Sequence, residues 1–245
     1  MTDKISLAGR VILITGAAGS LGAAMAALCR AGGALVIATD IKAAQGVDHA
    51  HDVTSAADWA RVLAAVRAAH GRLDGLVNNA GIGTVGSIEN ETFEGWRRVM
   101  SVNCDSIFLG CQAAWPLLKR SAAASIVNIS SVSGLVASGN FLAYNASKGA
   151  VRLMSKSIAL HGAKAHPPIR CNSVHPAFID SAMVSGMVQS SRNPERARDN
   201  LTAEIPMGRF GKPEEIAETV RFLLSDASSF MTGSEVVADG GLVAR

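Results

Sequence analysis

Tyr144 and Lys148 stand four residues apart in the run YNASK. On a helix this spacing places both side chains on one face, one turn apart. A free phenol, with a pKa near ~10, is a poor base at neutral pH. A neighbouring ammonium stabilises the phenolate and lowers that value, which makes Tyr144 a candidate acid/base. It is the only tyrosine in the chain. A tyrosine and a lysine one turn apart also arise by chance, so the pair carries weight only with other residues around it.

A second stretch is TGAAGSLG, residues 15–22, directly after the apolar run VILI. Its glycines, Gly16, Gly19 and Gly22, recur every third residue and do not match the general dinucleotide fingerprint G-x-G-x-x-G. Where a first strand passes into a first helix, glycines let the backbone approach a pyrophosphate. The free N–H groups and dipole of the helix start favour anionic charge, with Ser20 and Leu21 in the same turn. Eighteen residues past Gly22, Asp40 ends the second apolar run and is followed by Ile41. A carboxylate there can accept from both adenosine ribose hydroxyls and repels a 2′-phosphate, which favours NAD over NADP. Lys42 weakens that preference, and without the glycine turn Asp40 reads equally well as a solvated loop carboxylate.

The elements that must position these residues alternate. Apolar or β-branched runs at 11–15, 34–39, 75–78, 125–130, 169–174 and 235–238 predict strands; Ala-rich stretches near 20–31, 56–70, 92–119, 142–162 and 213–225 predict helices. Such alternation implies right-handed crossovers and a parallel sheet covered on both faces. No linker, composition shift or repeat divides residues 1–245, so the expectation is an α/β, Rossmann-type doubly wound sheet in a single domain. Ligands then sit beyond the carboxyl ends of the strands. The connection between Thr39 and VDHAHDV is too short for a full crossover helix. It predicts a helix reduced to about a turn and a third strand that is a stub at the sheet edge.

Composition narrows the partners. Net charge is +3 and spread out, without a Lys/Arg run, which argues against nucleic acid and acidic membrane surfaces. No apolar run approaches the ~20 residues of a membrane span, and MTDKISLAGR lacks a signal-peptide apolar region; the expectation is a cytoplasmic protein. Cys29, Cys104, Cys111 and Cys171 lack CxxC spacing and read as buried free thiols. Cys104 and Cys111 could share a helix face, where core packing outweighs a redox role. No Cys/His/Asp cluster suggests a metal. His175, between a strand and a proline, reads as structural rather than as a catalytic base. Met183, Val184, Met187 and Val188 recur at helical spacing and read as core or as pocket lining.

Taken in order, T-G-x(5)-G at 15–22, NNAG at 78–81, Asn103 in SVNCDSIFLG, NISS at 128–131 and YNASK at 144–148 resemble the motif set of the short-chain dehydrogenase/reductase family. Ser131 stands thirteen residues before Tyr144, the family spacing for the catalytic serine, whereas the competing Ser130 and Ser133 do not. The C-terminal run at 206–241 is similar too. Parts of the chain, such as SVHPAFIDSAM, are similar to hydroxysteroid and alicyclic alcohol or dihydrodiol dehydrogenases.

The resemblance implies roles. Tyr144 would exchange a proton with the substrate oxygen, and Ser131 would hydrogen-bond that oxygen. Lys148 would bind the nicotinamide ribose and depress the Tyr144 pKa. Asn103 would hold a water linking Lys148 to solvent; its plainer reading, a helix-interior amide bonding backbone, is compatible with that role. Asn79, Ala80 and Gly81 would run beneath the cofactor, Asn79 also tying strands together, and Asp52 and Val53 would meet the adenine. Pro176, Ile179 and Ser181 would hold the carboxamide, although Ala177 stands where the family usually has glycine. Ser20 stands in the slot of the family's middle glycine, its N–H toward the pyrophosphate and its hydroxyl acting like an N-cap. A substrate lid is expected near 181–210, with Ser133, Leu135, Phe141, Met183 and Met187 around the substrate and Val136 and Phe210 completing an apolar cavity.

These readings imply an NAD-dependent oxidoreductase interconverting an uncharged, fairly hydrophobic secondary alcohol and its ketone, as a homotetramer. The helices near 103–119 and 142–162 would pack against a partner's. The rivals are an NADPH-linked ketoacyl-carrier-protein reductase and a nucleotide-sensing regulator without turnover.

Overall fold

VILIT and SIVNI are buried at every position, which a strand achieves only when both of its faces are covered. The computed structural model describes residues 4–244 and places these runs in one sheet. Along the chain come β1 (Val11–Thr15), α1 (Ser20–Ala31), β2 (Leu35–Asp40), β3 (His49–Ala50), α2 (Ala56–His70) and β4 (Gly75–Asn78). They are followed by α3 (Phe93–Met100), α4 (Ser106–Leu118), β5 (Ser125–Ile129), α5 (Leu142–Gly162) and β6 (Arg170–Pro176). The chain closes with α6 (Ala182–Gln189), α7 (Pro194–Glu204), α8 (Pro213–Leu224) and β7 (Glu235–Ala238). The seven strands run β3-β2-β1-β4-β5-β6-β7 and every pairing is parallel, a doubly wound α/β sheet. Strand order reverses between β1 and β4, so the crevice at their carboxyl ends is the switch point where ligands bind.

Period-two alternation divides the core. Val11 and Leu13 face one layer with Trp59, Leu76, Ile126 and Leu117, under α2, α4 and α5. Ile12 and Ile14 face the other, with Met25, Val127, Val220 and Leu223, under α1 and α8. Among the described residues no helix is long and apolar enough to cross a membrane.

One expectation needs correction. The helix foreseen over 92–119 is interrupted: Ser101–Asp105 forms a wider π-type turn, in which the Ser106 N–H reaches back to Ser101 O. The second crossover follows its length, about one turn and then a stub strand at the sheet edge. Ala44–Val47 makes a single hydrogen-bonded turn, and β3 has two residues. A longer strand is unnecessary because Asp48 serves the β2 edge. Its N–H donates to Ala38 O at 2.7 Å and its Oδ2 accepts from Ala38 N at 2.8 Å.

Just past β3, His51 is 1 % exposed, edge-on to the Trp59 ring at 4.3 Å. The Thr39 hydroxyl donates to Ile14 O, leaving its oxygen 3.0 Å from His51 Nδ1 as an acceptor. Burial pushes the imidazole pKa down to about 4. An unfolded histidine binds its proton near ~6.5, so between those values only the unfolded chain is protonated and stability falls as pH drops. Urea titrations should show about 3 kcal/mol lost from pH 6.5 to pH 4 through His51, with the buried His175 acting in the same direction. His51→Leu should flatten that limb.

Candidate active site

The chain leaves β1 under tight constraint. Gly16 has φ +67°, and a Cβ there would lie 2.9 Å from Ala80 Cα. A Cβ on Gly22 would lie 2.2 Å from Gly16 O, so α1 meets the turn with no room for a side chain. Asn79 Nδ2 donates to Thr15 O at 2.9 Å and to Gly16 O at 3.1 Å. The N–H groups of Asn79 and Ala80 both donate to Thr15 Oγ1 at 3.1 Å. The exits of β1 and β4 are thereby joined, leaving a cradle of bare backbone at the start of α1. Such a surface fits a pyrophosphate.

Asp40 ends β2 beside this cradle, its Oδ2 accepting from Ala18 N at 3.0 Å and its Oδ1 from Lys42 N at 3.1 Å. Leu21 packs inward and Ile41 is exposed. Asp52 turns its carboxylate onto Thr54, accepting from N and Oγ1 at 2.9 and 2.7 Å. Val53 is buried, and its carbonyl accepts from Trp59 Nε1. The Ser20 hydroxyl is not an N-cap. Gly19 holds that position without a side-chain bond, and Ser20 Oγ instead accepts from Ala182 N of α6 at 3.4 Å. Ser20 is the first helical residue, so its side chain points past the turn toward α6.

Ser131, Tyr144 and Lys148 converge where β5 ends against α5. Ser131 Oγ accepts from Ser133 N at 3.1 Å and donates to Pro176 O at 3.4 Å. Ser130 turns away, donating to Lys148 O at 2.9 Å, which separates the two serines. Lys148 is 4 % exposed, with Nζ 2.8 Å from Ile129 O and 5.6 Å from the Tyr144 ring centre. Burial lowers its pKa to about 8. Burial also raises the Tyr144 phenol above its ordinary value, against the expected depression, while the Ser131 hydroxyl pulls it back. Nearly equal in water, the two groups therefore separate in proton affinity, and both burial effects favour the neutral forms. An ammonium has three donors, and those not on Ile129 O fit ribose hydroxyls. His175 is fully buried, with Nδ1 3.0 Å from Ser131 O and Nε2 2.9 Å from Ser173 Oγ. A carbonyl can only accept, so Nδ1 carries the proton and the ring is a neutral brace behind Ser131.

Asn103 lies in the π-type turn, completely buried. Its Oδ1 accepts from Ile82 N at 2.8 Å, and its Nδ2 donates to Ile82 O at 2.9 Å and to Ser147 Oγ at 3.1 Å. Ser147 lies within YNASK and Ile82 directly follows NNAG, but the motifs give neither a role; packing against Asn103 does. A Cβ on Gly81 would sit 3.3 Å from Asn103 Oδ1 and 3.6 Å from Lys148 Nζ.

Beside this cluster lies α6, with α7 packed against it. Ser181 caps α6 through Val184 N, Val188 is buried, Met187 is partly buried and Met183 is about half exposed. Ile179 is buried and bridges to Gly211. Leu135 and Phe141 are partly exposed at the rim, and Val136 is exposed. Phe210, foreseen in the cavity wall, is buried on Phe178 with the Arg198 guanidinium over its ring.

A switch-point crevice lined by bare backbone, with a serine, a phenol and an ammonium at its edge, defines a Rossmann-type oxidoreductase. The family described as enoyl-(acyl carrier protein) reductase matches residues 16–243. The NADP-dependent (R)-specific alcohol dehydrogenase of Lentilactobacillus kefiri is 38% identical, covering 100% of each chain. Cyclopentanol dehydrogenase of Comamonas sp. is 37% identical over 96% of this chain and 98% of its own. The 3-oxoacyl-[acyl-carrier-protein] reductase of Thermotoga maritima is 39% identical over 97% and 99%. The ligand-free aldohexose dehydrogenase of Thermoplasma acidophilum superposes with a TM-score of 0.91 at 36% identity, covering 98% of this chain and 96% of its own. The chain belongs to the short-chain dehydrogenase/reductase family.

The cradle generates a contrast between two glycines. Gly22→Ala should destabilise the fold by several kcal/mol, about 2–4 in thermal or urea unfolding, because the methyl meets backbone. Gly19→Ala meets only Gly16 O, at 3.4 Å, and should cost about 1 kcal/mol or less.

Proposed function

We propose that this protein uses NAD to oxidise an uncharged, fairly hydrophobic secondary alcohol, of alicyclic or steroid-like kind, or reduces the corresponding ketone. The convergence of Ser131, Tyr144 and Lys148 at the end of β5, facing the backbone cradle, carries the reading. Cofactor would lie along Gly16, Gly19, Ser20 and Gly22, past Asn79, Ala80 and Gly81, with Asp40 on the adenosine ribose and Pro176, Ile179 and Ser181 near the nicotinamide. Asp52 and Val53 would stand at the adenine end. A bound nicotinamide supplies the site for hydride gain or loss.

The protein's own residues manage the proton. Ser131 Oγ hydrogen-bonds the substrate oxygen and holds it against Tyr144 Oη, which takes the alcohol proton in one direction and returns it in the other. Lys148 donates to ribose and, being charged, favours the phenolate. Its own pKa of about 8 lets it pass a proton onward near neutrality. Asn103 anchors the backbone at Ile82 and positions a water for that relay. Residues 181–210, carrying α6 and α7, act as the substrate lid, with Ser133, Leu135, Phe141, Met183 and Met187 around the substrate.

Asp40 supports NAD because its charge already lies at the cradle, 3.0 Å from the Ala18 N–H, where a 2′-phosphate would be repelled. The carrier-protein reductase alternative would instead need a cation for that phosphate, and Lys42 is the only one beside Asp40 in sequence. Exposed Phe108, Leu153 and Leu160 on α4 and α5 support assembly through these helices into a homotetramer. Buried Cys29, Cys111 and Cys171, free and with pKa values raised by burial, suit a reducing cytosol.

Tyr144→Phe should lower kcat by about 10²–10⁴, with NAD affinity changed less than about threefold by fluorescence titration. A nucleotide-sensing regulator would keep its function in that variant. Initial rates with both cofactors should favour NAD; an NADP preference of about tenfold or more would overturn the assignment of Asp40.

A further inference from the structure

We propose that Gly83 sets the width of the substrate channel beside Tyr144, admitting a ring-sized, uncharged alcohol or ketone; the inference rests on the dehydrogenase reading above. A Cβ built on Gly83 would lie 3.7 Å from Met183 Sδ and 3.9 Å from Tyr144 Cδ2. The missing side chain is therefore where the wall of the site, the acid/base ring and the lid meet. Gly83 is not among the glycines with positive φ, so its backbone conformation does not demand glycine. What a side chain would change is the room available.

The wall cannot retreat to restore that room. Immediately before Gly83, both main-chain groups of Ile82 are bonded to the buried Asn103 amide, at 2.8 and 2.9 Å. Three residues beyond it, Gly86 N donates to Asn140 O at 2.9 Å and Gly86 O accepts from Leu142 N at 3.0 Å. The segment is pinned to the π-type turn at one end and to the start of α5 at the other. Opposite stands Met183, an unbranched thioether on the half-exposed side of α6 that adjusts its shape at little cost. The channel thus has a hard side at Gly83 and a soft side at Met183. The hard side limits how bulky a group can lie against Tyr144, and the soft side closes over whatever fits.

Gly83→Ala and Gly83→Val test this, because the alanine methyl makes only ordinary van der Waals contact and the fold should survive it. The readout is kcat/KM for cyclohexanol relative to 2-propanol, with NAD affinity measured alongside. The ratio should fall about threefold in Gly83→Ala and about tenfold or more in Gly83→Val, mainly through KM for the ring. Met183→Ala added to Gly83→Val should recover part of the ratio, since the two residues bound one gap. Stabilisation of the NAD-loaded protein by cyclohexanone, followed as a Tm shift, should shrink in the same order. An equal loss on both alcohols, or an unchanged ratio, overturns the role of Gly83 and leaves the dehydrogenase reading standing. If the unaltered protein oxidises neither alcohol and shows no Tm shift with cyclohexanone, the parent reading falls and this inference falls with it.

Discussion

Lys148 keeps its ammonium almost wholly out of water, and the active-site end of the sheet is arranged around that fact. An isolated buried charge carries a desolvation penalty of several kcal/mol unless polar groups meet it. Here the meeting group is Ile129 O at 2.8 Å, the last carbonyl of β5, and no carboxylate pairs with Lys148 among the described residues. α5 must therefore lie directly on the end of β5. Ser130 holds it there from the other side by donating to Lys148 O. The contact is so close that a Cβ on Gly134 would sit 2.6 Å from that same carbonyl. The strain of keeping the charge dry appears as a pKa of about 8, and it makes Lys148 receptive to any hydroxyl that enters.

The π-type turn at Ser101–Asp105 answers a related demand. An α-helix running straight from Phe93 to Leu118 would present its side chains at a constant pitch. One wider turn shifts the pitch at the point where Asn103 has to reach inward, a common use of such turns at functional sites. The reward is a buried amide whose oxygen and nitrogen both find Ile82, leaving the backbone from Gly81 to Gly83 threaded between Lys148, Tyr144 and Met183. Asn103 therefore bonds backbone, as the plainer of its two sequence readings has it, and in doing so fixes the wall of the site.

Much of the architecture was legible in advance because burial on both faces leaves a plain mark. VILIT, GLVN, SIVNI and EVVA are strands in the structure with the bounds or nearly the bounds their apolar runs predict, and the four long Ala-rich helices match closely. The edge beyond β2 was harder to read. The shortness of the crossover was foreseen, but the bond that closes it, from Ala38 N to the Asp48 carboxylate, is announced by no local pattern. Ser20 misled for a similar reason: serine before an apolar helical run suggests an N-cap, but Gly19 takes that position and Ser20 looks across to α6.

The sequence by itself determined the sheet, the glycine turn and the placement of Ser131, Tyr144 and Lys148, because these depend on short-range spacing and on which residue types tolerate burial or close approach. Only the tertiary structure decided that the Ser130 hydroxyl turns onto Lys148 O, that desolvation lowers the Lys148 pKa and raises that of Tyr144, and that Gly83 stands where wall, phenol and lid meet. Those outcomes depend on distances between residues dozens of positions apart and on how much water the packing excludes. Neither quantity is carried by the residues taken one segment at a time.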